Sequence, residues 1–237
     1  MSISIIIGFL AFIATLAGGL FAIRFKDKLH LILGFSAGAV VAVAFFEIIP
    51  EAIELASQKY EVGIVTLMMG AGFTLYMLLD RVILLHSHTD DNQNTRGILG
   101  AGALSLHSFL DGIAIGLAFQ ASTEIGMVVT SAVLAHDFSD GLNTANIVIK
   151  NGGKIRKALS WVLIDAFAPV LGVLSTSFFS MPGEILGLVL AVFAGDFIYI
   201  GASDMLPESH HRHPKRLTTV VTLIGMAVIF GIVRIIK

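Results

Sequence analysis

Eight apolar stretches, at about residues 3–23, 29–57, 63–85, 97–120, 125–149, 156–179, 184–206 and 217–236, take up nearly all of this 237-residue chain. Each matches or exceeds the roughly 20 residues that a helix needs to cross a ~30 Å hydrocarbon core. In lipid there is no water to satisfy backbone N–H and C=O groups, so such stretches must form helices that satisfy them internally. The expected fold is an all-α integral membrane protein of eight transmembrane helices, multi-pass in a plasma (cell inner) membrane. The connections are short, the longest being the polar loop near His86 to Arg96, so residues 1–237 read as a single transmembrane domain and a compact helix bundle. With 56% of positions hydrophobic and 14% charged, and a mean hydropathy of +0.89, the composition agrees. The absence of cysteine excludes disulfides, thiolate metal sites and cysteine catalysis. A net charge of -2 gives no basic balance to attract nucleic acid.

The basic residues set the orientation. The loops after spans one, three, five and seven carry Arg24, Lys26, Lys28, Arg81, Arg96, Lys150, Lys154, Arg156, Lys157, Arg212, Lys215 and Arg216, leaving only Lys59, Arg234 and Lys237 for the opposite side. The positive-inside rule therefore predicts that those four loops face the cytoplasm and that both termini lie outside. The first stretch is longer than a signal-peptide core and has no basic residue ahead of it, so it is expected to be a retained span.

The acids are in the wrong place for a mere scaffold. At ~1.5 Å rise per residue, His107 and Asp111 lie about 15 to 21 Å into the fourth span, near mid-bilayer. His136, Asp137 and Asp140 reach a similar depth in the fifth, Asp165 in the sixth and Asp196 in the seventh, while no Lys or Arg falls at any span's centre. Each such carboxylate costs at least ~2.5 kcal/mol on insertion scales, so five uncompensated ones together cost more than ~12 kcal/mol. A bound cation, retained protons or a hydrated cavity must offset them.

In the sequences HSFLDG (residues 107–112) and HDFSDG (136–141), histidine and aspartate stand four residues apart, so imidazole and carboxylate share one helical face. Two such helices supply two nitrogens and two carboxylates, a set that favours Zn²⁺ and accepts Fe²⁺, Mn²⁺, Co²⁺ or Cd²⁺. Asp137 offers a second, oxygen-rich site alongside, with Ser108 opposite and Asp111 and Asp140 bridging. Asn143 continues the same face. Asp165 and Asp196 occur singly and read equally as structural carboxylates. The loop residues His86, His88, Asp90 and Asp91 read as a solvated turn.

The sequence also repeats itself. Glu47, Pro50 and Glu51 near the outer end of span two recur as Asp204, Pro207 and Glu208 near the inner end of span seven. A matching motif on oppositely directed helices is what an inverted repeat leaves, with spans one to three mirrored by six to eight around spans four and five. On this reading Glu47, Glu51 and Glu54 line an outer acidic funnel, and Asp204, Glu208, His210 and His211 an inner one. The proline can equally serve as a purely structural kink in both helices.

HSFLDG, HDFSDG and GDFIYIGASDMLPE (195–208) resemble the ZIP (Zrt-, Irt-like) divalent-metal transporters, and the likeness runs along the whole chain. The resemblance implies a binuclear site, with His107, Asp111, His136 and Asp140 on one metal and Ser108, Asp111, Asp137 and Asp140 around a second. It also implies uptake toward the cytoplasm, a homodimer, and a helical bundle that slides against a scaffold. The chain departs from that pattern at Ser108, where members often have Asn, and at Ala168, where many have a glutamate before the proline; Asp165, one turn earlier, is the stand-in. The expected function is therefore transport of a divalent metal, zinc first, with no resident cofactor and no covalent chemistry. Its partners are metal ions and the lipid bilayer. Two competing readings use the same residues. An intramembrane zinc hydrolase would need a general base beside an open ligand position, and no H-E-x-x-H pattern occurs. A metal exporter would share the paired His and Asp but usually carries a soluble metal-binding tail.

Overall fold

The computed structural model describes residues 2–24, 29–89, 93–211 and 216–236. Among them every regular element is helical: α1 (Ser2–Arg24), α2 (Leu29–Val43), α3 (Ile49–Ala56), α4 (Val62–Thr89), α5 (Gln93–Ala121), α6 (Thr123–Lys150), α7 (Ile155–Ser175), α8 (Gly183–Tyr199), α9 (Leu206–His211) and α10 (Arg216–Ile236). Six helical stretches among the described residues are long and apolar enough to cross a membrane: Ile3–Arg24, Leu33–Ala56, Val62–Arg81, Gly97–Ala121, Ile155–Phe178 and Gly183–Ser203. The remaining two expected spans fall on α6 and α10. For α10 the apolar part is the shorter stretch Arg216–Gly231. The 28-residue α6 is long enough, but Glu124, His136, Asp137 and Asp140 dilute its apolarity.

Two spans are each made of two α-helical pieces joined by a π-helical turn. Ala44–Ile48 joins α2 to α3, and Ile200–Met205 joins α8 to α9. In the first, Ile49 N–H donates to the Ala44 carbonyl; in the second, Leu206 N–H donates to the Gly201 carbonyl, five residues back in each case. The cause is the next residue, Pro50 or Pro207. Proline has no N–H to give and its ring crowds the carbonyl four residues earlier, so the ladder widens by one residue just before it. Glu47 lies inside the first of these turns and Asp204 at the matching place in the second.

The chain divides into two compact units, one of Met1–Lys26, Leu78–Gly116 and Asp137–Phe179, the other of Asp27–Met77, Leu117–His136 and Ser180–Lys237. In the first unit α1 crosses α6 where glycine meets backbone. A Cβ on Gly18 would overlap the Phe138 carbonyl, and one on Gly141 would overlap the Thr15 carbonyl. The crossing of α5 and α7 is built the same way, Gly112 against the Pro169 carbonyl and Gly172 against that of Phe109. Phe12 packs on Phe167 and Phe21 on Phe138, with ring centroids 4.7 and 5.9 Å apart.

The second unit repeats this device twice. Gly38 of α2 faces the Thr222 carbonyl of α10 while Gly225 faces that of Phe35, and Gly195 of α8 faces the Met69 carbonyl of α4 while Gly72 faces that of Val192. In all four crossings each glycine sits on the carbonyl three residues before its partner's glycine. Any side chain at these points would push two backbones apart, which matters in lipid, where helices associate through close packing. Aromatic rings add to the α4 and α8 contact, Phe73 and Tyr76 both packing on Tyr199.

The glycine crossings can be tested directly. Gly141→Val should destabilise the folded chain in detergent by about 1–3 kcal/mol or more, as overpacking does. Gly70→Ala, where an added Cβ meets nothing within 4 Å, should not destabilise the chain and should gain up to about 1 kcal/mol from helix propensity.

Candidate metal centre

The central residues of α5 and α6 are set by their glycines. Asp111 immediately precedes Gly112, and Asp140 immediately precedes Gly141, so each aspartate stands beside the point where its helix is pressed onto another. His107 and His136, one turn earlier on each helix, share those faces. All four side chains are buried, none more than 4% exposed. One ligand atom from each of His107, Asp111, His136 and Asp140 lies within 4.8 Å of all the others. Ligand atoms of a tetrahedral zinc site, at about 2.0–2.1 Å from the metal, stand about 3.3 Å apart. The observed set therefore needs about an ångström or so of side-chain movement to close on an ion.

Within the set, His107 Nε2 approaches Asp111 Oδ2 at 3.3 Å. The ring of His136 meets the ring of Phe197 edge-on, centroids 4.6 Å apart and planes at 72°. The imidazole thus has an apolar wall on one side, which restricts how it can turn. Two nitrogens and two carboxylates of this kind suit a borderline cation such as Zn²⁺, whose charge would offset that of the two carboxylates.

The other residues singled out from the sequence are distributed as follows. Ser108 is buried and donates its hydroxyl to Asp165 Oδ1 at 2.7 Å. Asp165 Oδ2 accepts a second hydrogen bond, at 2.6 Å, from the Thr144 hydroxyl. Asp165 is therefore brought to Ser108 and Thr144, and it is not one of the four converging residues. Asp137 is fully buried next to His136 and also stands outside that set, and Asn143 is half-buried. Glu47 is fully buried, and Glu51 and Asp196 nearly so, all within the second unit. The side chains of Asp204, Glu208, His210 and His211, like those of His86, His88, Asp90 and Asp91, lie outside the described residues.

Two residues of this region were not singled out in the sequence. Thr144 stands one turn after Asp140, so the four-residue spacing that links His136 to Asp140 also reaches it. A threonine in a lipid-spanning helix can bond its own backbone, however, and raises no alarm there. Phe197 had no local signal, being one apolar residue in an apolar helix of another part of the chain.

A family model described as ZIP Zinc transporter matches residues 86–233. The chain belongs to the ZIP family. It is similar to the zinc transporter foi of Drosophila melanogaster, 32% identical over 59% of this chain and 19% of that protein. Zinc transporter ZIP10 of Danio rerio is 31% identical over 59% of the chain and 17% of its own length. The chain thus spans under a fifth of the length of these two ZIP proteins. Zinc transporter ZupT of Corynebacterium glutamicum is 29% identical over 91% of the chain and 92% of its own length. Family membership and the apolar helices make this ZIP chain a multi-pass membrane protein.

A ligand that binds only the folded state at one hundred times its Kd adds about 2.7 kcal/mol of stability. Zn²⁺ at that excess should raise Tm of the purified chain, as read by differential scanning fluorimetry. Asp111→Ala and His136→Ala should each remove this rise while leaving a cooperative unfolding transition in the absence of metal.

Proposed function

We propose that this chain carries divalent transition-metal ions, zinc first, across the membrane toward the cytoplasm by alternating access. The observation that carries the reading is the convergence of His107, Asp111, His136 and Asp140 from two neighbouring helices at their mid-length, with one ligand atom of each within 4.8 Å of the other three. The zinc-transporter names of the relatives point the same way.

In this reading the metal is substrate, not cofactor. The two imidazoles and two carboxylates replace its hydration shell in a site where a bare dication would otherwise be prohibitively costly. Release follows when the ligands gain protons or turn away, because both ligand types lose affinity for metal on protonation. Asp137, with Ser108, Asp111 and Asp140 about it, is the candidate for a second ion. Glu47, Glu51, Asn143 and Asp196, together with Asp204, Glu208, His210 and His211, are the candidates for the route to and from the site. Fe²⁺, Mn²⁺, Cd²⁺ and Co²⁺ are alternative cargoes for this donor set.

The same reading gives α6 and α10 to the membrane, for eight spans with both termini outside, and relates spans one to three to six to eight by an inverted repeat. Support for the repeat comes from the crossings. Gly38 and Phe35 recur as Gly195 and Val192 at the interval that separates Pro50 from Pro207, and each π-helical turn falls at that same interval. A homodimer and residence in the plasma membrane belong to this reading.

Metal influx into proteoliposomes loaded with a metal-sensitive dye tests it. Saturable Zn²⁺ entry is expected, with Mg²⁺ excluded, and His107→Ala/Asp140→Ala should reduce the rate to that of empty liposomes. Tight Zn²⁺ binding with no flux in the wild type would sink the carrier assignment. Because the chain has no cysteine, single cysteines test the orientation: one at Gln58 and one at Lys154 should be labelled by an impermeant maleimide from opposite sides.

A further inference from the structure

Asp165 is 0% exposed, near the middle of the lipid-crossing stretch Ile155–Phe178, and each of its carboxylate oxygens accepts one short hydroxyl hydrogen bond. The two donors come from different helices. Ser108 of α5 is the residue after His107, and Thr144 of α6 is one turn after Asp140. Resting on the metal-carrier reading above, we propose that Asp165 is a positioning residue. It ties the α5 and α6 halves of the metal centre to α7 through Ser108 and Thr144, and does not itself bind the metal.

The packing explains why the tie is needed. Of the glycine crossings in this unit, α5 is pressed onto α7 through Gly112 and Gly172, whereas α6 is pressed onto α1 through Gly141 and Gly18. The two ligand-bearing helices thus lean on different neighbours, yet His107, Asp111, His136 and Asp140 must keep ångström-scale spacing. A carboxylate on α7 that accepts from α5 with one oxygen and from α6 with the other fixes both in register with a single group. The bonds at 2.7 and 2.6 Å are in the short range of hydroxyl-to-carboxylate bonds. Groups that orient ligands from outside the coordination sphere change metal affinity by about 10–100-fold when removed.

The role predicts a sign. If Asp165 acts only through the hydroxyls, then once both are gone its removal has nothing left to cost, and it even relieves a buried carboxylate that has lost its donors. Zn²⁺ affinity of the purified full chain in detergent, read by competition with a chromophoric chelator, is the measurement. Asp165→Ala should weaken Zn²⁺ by about tenfold or more, and Ser108→Ala/Thr144→Ala by at least as much. The triple variant should bind no more weakly than Ser108→Ala/Thr144→Ala, within about twofold. Asp165→Asn, whose amide can accept from one hydroxyl and donate to the other, should stay within a few-fold of wild type. A triple variant about fivefold or more weaker than the double, or Asp165→Asn as weak as Asp165→Ala, would overturn the positioning role and make Asp165 a direct ligand. If the double variant does not fold, the comparison of Asn with Ala at position 165 decides alone. Failure of the wild type to bind Zn²⁺ at all would instead refute the carrier reading and the positioning role with it.

Discussion

The structure hangs on one electrostatic constraint, the presence of carboxylates at mid-depth of apolar helices with no basic side chain at the centre of any span. A protein could meet that constraint by neutralising each acid separately. This chain instead gathers four donors, Asp111 and Asp140 with His107 and His136, into one cluster, and satisfies another acid, Asp165, with hydroxyls on both oxygens. The two solutions have different consequences. A carboxylate supplied with hydroxyl donors on both oxygens is structural, whereas two carboxylates and two imidazoles within a few ångströms form a donor set suited to a cation.

Holding donors at that precision inside lipid requires backbones in direct contact, and the fold reaches this with one repeated device. In four crossings, two in each unit, a glycine on each helix rests on the carbonyl three residues before the other's glycine. Two of these glycines directly follow the aspartates of the cluster. The sequence pair Asp-Gly at 111–112 and 140–141 therefore does two jobs at adjacent positions, placing an aspartate of the cluster and locking the helix that bears it. Replacing such a glycine would displace that aspartate through the backbone even though no side chain of the cluster had changed.

Much of this was legible in the sequence because it depends on local periodicity. Long apolar runs mark helices, and His and Asp four residues apart mark a shared face, so the four converging residues could be named before any geometry was known. The recurrence of Pro50 and Pro207 likewise pointed to equivalent places in two helices, though not to the π-helical turns that proline induces before it. Long-range features were out of reach. Gly38 and Gly112 each rest on a carbonyl, of Thr222 and of Pro169, that lies far along the chain, and nothing local says which carbonyl a glycine will meet. The hydrogen bonds of Asp165 failed for the same reason, since a single acid in one helix carries no record of a serine and a threonine in two others. In α6 the polar residues that reveal its chemistry, His136, Asp137 and Asp140, are also the ones that lower its apolarity.

The two halves of the centre are alike in their ligands and unlike in what supports them. Matching the crossing of α1 with α6 to that of α7 with α5 pairs Gly18 with Gly172 and Thr15 with Pro169, and at the same interval Ala11 corresponds to Asp165. On α6, the position that corresponds to Ser108 is Asp137. One half thus has a hydroxyl on the ligand helix and a carboxylate on its neighbour, while the other has the carboxylate on the ligand helix and an alanine, fully buried, on the neighbour. Each half keeps one extra acid, but exchanges the helix that bears it. In one case the extra acid accepts hydroxyls from two other helices; in the other it is the residue directly after His136. That exchange of the extra acid, and not the like placement of His107 and Asp111 with His136 and Asp140, is what distinguishes the two halves.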